Sequence, residues 1–147
     1  MADIQHSGAV FAGLWANGHL IFHAMTSKDL QQTRVEMINL INEQNEIIKN
    51  NLKLYQGVLA NENKVVVSKD FTYCVTDDGV GMLDVKVMGA KDEAQRFNLN
   101  TAIKIAECFK AENGYGKIEW DVMPAREYLT RLLEQNNRTI ALISNNN

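Results

Sequence analysis

The chain has 147 residues, 46% hydrophobic and 22% charged, with a formal net charge of −3. That length suffices to bury one core without disulfide or metal staples. Its 15 basic residues are scattered among 18 acidic ones, which argues against the broad basic footprint of a nucleic-acid binder.

The opening MADIQHSG carries neither a basic segment nor a long apolar one, so no secretory leader is read there. No apolar run approaches the ~18–20 residues of a membrane span. A soluble, cytoplasmic protein is expected. Cys74 and Cys108 stand in no metal-type spacing; one disulfide stays open, but their apolar surroundings favour two buried thiols in a reducing compartment. Pro124 is the sole proline and no Gly/Ser-rich linker occurs, so 1–147 reads as one domain. The 16 asparagines read as compositional bias at solvated positions.

In chain order, the first element is a hairpin. Asn17-Gly18 lies between apolar runs, and a two-residue turn with positive φ at both positions suits that pair. The register this turn sets places Ala16 against His19, Trp15 against Leu20 and Ala12 against His23. Phe11, Trp15, Leu20 and Phe22 then share one face. His19 and His23 share the other but lie about 13 Å apart along the strand, too far to ligate one metal ion. No metal site is read there, and no cofactor motif elsewhere. A single catalytic histidine stays open, His23 ahead of His19.

Thr26-Ser27-Lys28-Asp29 reads as a helix start, and no breaker follows until Gly57. Ile38, Ile41, Asn45, Ile48, Leu52 and Tyr55 recur at helical spacing. A helix over 28–56 would run longer than a small sheet is wide, so its far end is expected to overhang. Ile41, Ile48, Leu52 and Tyr55 are the expected interface, with a homodimer or higher even oligomer as the outcome.

Strands are expected over 64–68, 71–76 and 82–88. Leu83, Val85 and Val87 fall on one face of the third. Asp77-Asp78-Gly79 reads as a turn, because TDDGVGMLD lacks the ligand spacing of a calcium loop and the lysine of a phosphate loop. A helix capped by Asp92 or Asn98 carries Phe97, Ala102, Ile105, Ala106 and Phe109, and stops at Asn113-Gly114. A strand over 117–123 follows, then a helix from Pro124 that ends at Asn136-Asn137. Residues 139–143 are a last strand or more helix, and 144–147 a frayed tail.

The resulting class is α+β: a mainly antiparallel sheet opened by an N-terminal hairpin, with a long helix and two further helices packed on it. In its order of elements alone this resembles the longin and roadblock class of small adaptor domains. Weak catalytic candidates are His23, Cys74 and Glu119, with no nucleophile–base motif around any of them. The functional expectation is a non-catalytic protein-interaction module that self-associates and binds a protein partner, away from membranes and nucleic acid. The alternative is a small enzyme or ligand-binding domain with a pocket lined by Trp15, His23 and Tyr73.

Overall fold

The computed structural model describes residues 9–16, 19–57, 62–111 and 117–145, with side chains from Ser27 onward except that of Ala111. The Asn17-Gly18 turn, the Asn113-Gly114 stop and the opening octapeptide lie outside the described residues. The elements are β1 (Ala9–Ala16), β2 (His19–Thr26), α1 (Ser27–Leu54), β3 (Lys64–Ser68), β4 (Tyr73–Asp77), β5 (Leu83–Val87), α2 (Leu99–Ala111), β6 (Trp120–Pro124) and α3 (Ala125–Asn145). The class is α+β. Among the described residues no helix is long and apolar enough to cross a membrane.

β1 and β2 pair antiparallel in the register expected, with Trp15 opposite Leu20 and Ala12 opposite His23. They form a sheet of their own rather than opening the main one. That main sheet has the order β5-β4-β3-β6, antiparallel throughout. Its central strand explains its composition. Val65, Val66 and Val67 are all fully buried, because helices cover both faces and an uninterrupted apolar run is then favoured over alternation. Val65 and Val67 belong to a core with α1 and α3, including Ile48, Tyr128, Leu129 and Leu132. Val66 belongs to a second core with Val75 and the α2 residues Ala102 and Ile105.

Polar pins fix the α1–α3 layer. Asn136 Nδ2 donates to Asn45 Oδ1 at 2.9 Å and to Ala90 O at 3.0 Å, and Asn45 Nδ2 donates to Asn137 Oδ1 at 3.2 Å. Asn45 and Asn136 are buried, so these bonds replace water that burial removes. Compositional bias at solvated sites therefore does not describe these two. Asn136-Asn137 does not end the helix either: α3 runs unbroken to Asn145, which settles residues 139–143 as helix and makes Ser144-Asn145 part of it.

The segment 92–97 fills a fork where β3 and β4 separate. Phe97 exchanges both backbone hydrogen bonds with Lys64, and Gln95 N donates to Val75 O at 3.0 Å. Arg96 holds it: its guanidinium donates to both Asp92 oxygens at 2.9 and 2.7 Å and to Tyr55 Oη at 2.8 Å. Asp92 is thus an ion-pair partner, and Asn98 is the cap of α2, its Oδ1 accepting from Thr101 N at 2.8 Å.

The long helix is corrected in one respect. Its buried residues are Ile41, Asn45 and Ile48, and Leu52 and Tyr55 pack against the same core. The overhang lies at the other end, where none of residues 27–40 is buried. Those first turns extend for about 20 Å at 1.5 Å per residue. After α1, Gly57 adopts φ +61°, a left-handed turn that a Cβ would strain.

Candidate functional site

Among the described residues, β5 and the flank of α2 beside it form an open side of the main sheet. β4–β5 register sets Val75 opposite Val85 and Tyr73 opposite Val87. Beyond the strand ends, Asp78 N donates to Met82 O at 3.0 Å and Met88 N to Thr72 O at 2.8 Å. Hydrogen-bonded pairs alternate along an antiparallel ladder, so residues 82, 84, 86 and 88 turn their backbone groups toward β4. Leu83, Val85 and Val87 turn theirs away from the sheet. Side chains alternate too. Val75 belongs to the α2-side core, so its cross-strand neighbours Leu83, Val85 and Val87 carry their side chains to that face.

α2 does not reach over them. A groove of about 500 Å³ runs between helix and strand, lined by Leu83, Asp84, Thr101, Lys104, Ile105, Cys108 and Phe109. Thr101, Lys104, Ile105 and Cys108 stand at i, i+3, i+4 and i+7, one face of the helix. Ile105 is buried at the base, while Leu83 and Val87 are 39% and 67% exposed. Phe109 is held against Trp120 with ring centroids 5.6 Å apart. Asp84 closes part of the edge: its Oδ1 accepts from Val85 N at 2.8 Å.

Among the described residues, the candidates Cys74 and Glu119 do not meet at one site. Cys74 is buried in the α1–α3 core, and desolvation, with Glu93 and Asp92 nearby, pushes its thiol up to about 11. A neutral buried thiol is a poor nucleophile. Glu119 is exposed and 3.8 Å from Lys69. The side chains of Trp15 and His23 lie outside the described residues, and Tyr73 is not among the residues lining the groove. Ile41 and Ile48 are buried, and Leu52 and Tyr55 pack against the core. Of the seam end expected to be partly exposed, Ile48 is fully buried within the chain, while Leu52 and Tyr55 stay partly buried beside α3 and the 92–97 segment.

The glycine-rich turn is accounted for internally. Asp77 Oδ1 accepts from Gly79 N at 2.8 Å, and Asp78 Oδ1 accepts from Val80 N at 2.9 Å and Met82 N at 3.1 Å. Both carboxylates serve the turn, and Gly79 supplies the φ of +88° that it needs.

The sequence pattern did show which face Leu83, Val85 and Val87 share. It did not show that α2 stops short of them, since helix position over a sheet follows from packing on several strands at once. The chain matches no known family model, no curated protein and no solved structure.

Proposed function

We propose that this chain is a non-catalytic, cytoplasmic protein-interaction module, and that its working surface is the open β5 edge with the groove under α2. One observation supports the reading: among the described residues no strand pairs the outward backbone groups of Leu83, Val85 and Val87, whose apolar side chains lie beside a groove of about 500 Å³. An extended segment added to such an edge gains main-chain hydrogen bonds, and its alternate side chains gain an apolar bed. A folded protein that keeps an edge both unpaired and flanked by apolar surface has a use for it or risks aggregation.

Panning a library of random extended peptides against the immobilised protein tests the reading. Enriched peptides should alternate apolar residues, and a bulky maleimide on Cys108, at the groove wall, should abolish their capture. Enrichment indifferent to that block, or no enrichment at all, removes this side as the working surface for foreign segments.

A further inference from the structure

Around β5 the sequence reads Gly81-Met82-Leu83-Asp84-Val85-Lys86-Val87-Met88-Gly89. About Val85 it is symmetric in chemistry: glycine mirrors glycine, methionine mirrors methionine, an apolar residue mirrors another, and an acid mirrors a base. Two-fold interfaces need this kind of self-complementarity, because one patch must fit its own copy.

We infer that the occupant of the β5 edge is a second copy of this chain, paired antiparallel through β5 and centred on Val85. The inference rests on the reading of β5 as the working surface and names its partner. Centring the pair on Val85 sets Val85 against its counterpart, Leu83 against Val87 of the second copy, and Asp84 against Lys86 of the second copy. The outward backbone groups of Leu83, Val85 and Val87 then form the hydrogen-bonded pairs. Asp84 and Lys86 fall at non-hydrogen-bonded positions, where opposite Cα atoms approach to about 4.5 Å and side chains interact best. Any shift by two residues breaks this match: it sets Asp84 against Asp84, or Lys86 against Lys86.

The rest of the site agrees with the pairing. A two-fold axis perpendicular to the sheet leaves both α2 helices on one face. Their grooves merge above Leu83, Val85 and Val87 of each copy, which covers side chains that the single chain leaves exposed. Asp84 and Lys86 are exposed in the single chain, and among the described residues Lys86 has a loose ion pair with Glu93 at 3.8 Å, worth little near water. Asp84 now accepts from Val85 N, the central donor of the pairing. On association Val85 N–H passes to the second copy and Asp84 turns to Lys86 across the axis. A guarded edge of this kind makes the dimer reversible.

Charge exchange tests the register, not merely the contact. Sedimentation equilibrium at tens of micromolar should show the wild type as a dimer. D84K sets two basic pairs across the axis and K86D two acidic pairs, so each alone should weaken association by on the order of tenfold or more. An equimolar mixture of D84K and K86D sets acid against base at both positions and should restore the dimer as a heterodimer. Both positions are exposed, so the fold is spared; V85P, which removes the central outward N–H without touching the β4 ladder, should be monomeric with unchanged circular dichroism. A monomeric wild type, a variant that stays fully dimeric, or a mixture that stays monomeric overturns the inference. A monomer that still captures peptides at Cys108-sensitive sites overturns it alone; a monomer that captures none overturns the proposed function with it.

Discussion

At the β6 edge the backbone groups that point outward belong to Trp120, Val122 and Pro124, as the bonds from Lys69 N to Glu119 O and from Ala125 N to Asn63 O require. Pro124 has no N–H to offer, and all three residues are partly buried. At the β5 edge the outward residues are Leu83, Val85 and Val87, each with an N–H, and only Val85 is partly buried. Both strands pair antiparallel within one sheet, yet one edge is blunted by proline and packing while the other is guarded by a single carboxylate. Proline is a permanent block and a carboxylate a removable one. The difference teaches where to look for a partner: at the edge whose guard can move.

The largest expected effect comes from the clamp that ties the β5 half of the sheet to β3. Asp92→Ala leaves the Arg96 guanidinium, largely buried, without its carboxylate, and should cost about 3–5 kcal/mol. Hydrogen exchange should then show β4 and β5 amides opening ahead of those of β6. Equal loosening at both edges would mean that the clamp serves the whole fold and not one side.

A smaller loss is expected from Asn45→Ala, which leaves the Asn136 amide short of a partner in a buried site. About 1–3 kcal/mol is expected by denaturant titration. Because this pin lies between α1 and α3, it should weaken both edges alike, and a selective effect on β5 would contradict the assignment.

Pro124→Ala sharpens the contrast directly. Stability should change by less than about 1 kcal/mol, while β6 gains an outward N–H. In a V85P background, where the β5 edge is disabled, time-resolved light scattering should show slow association that V85P alone lacks. If none appears, packing around Trp120 and Val122 closes that edge without help from proline.

The smallest effect is chemical. Cys108 is exposed on the open side and Cys74 buried beneath the sheet, so a thiol reagent at neutral pH should titrate one fast equivalent, lost in Cys108→Ser. Burial holds Cys74 neutral, with its folded value raised from 9.0 to about 11. Its contribution to stability is therefore whole below pH 9.0 and is lost as pH rises through about 11. Stability of Cys74→Ala should fall less steeply across that window. Matching slopes would show that the thiol is not desolvated.

Much of this protein was legible in one dimension because local rules decide it. The β1–β2 register is the one that an Asn-Gly pair between apolar runs predicts, since side-chain period and turn length leave one alignment. β3 was legible because three consecutive valines suit a strand covered on both faces, and α1 because its apolar residues recur at 3 and 4. Tertiary structure alone decided what each surface then meets. Ile48, Leu52 and Tyr55 formed a seam in the sequence, but only the antiparallel packing of α3 and the Arg96 segment buried Ile48 fully and left Leu52 and Tyr55 partly buried. Asn136-Asn137 carries a stop signal for a helix; the partners that keep α3 going are Asn45 and Ala90, 91 and 46 residues away in sequence. The apolar face of β5 was written in its alternation, whereas its vacancy was not. How far a helix reaches across a sheet depends on the summed packing of Val66, Val75, Ile105, Phe109 and Trp120, and no local pattern encodes that sum.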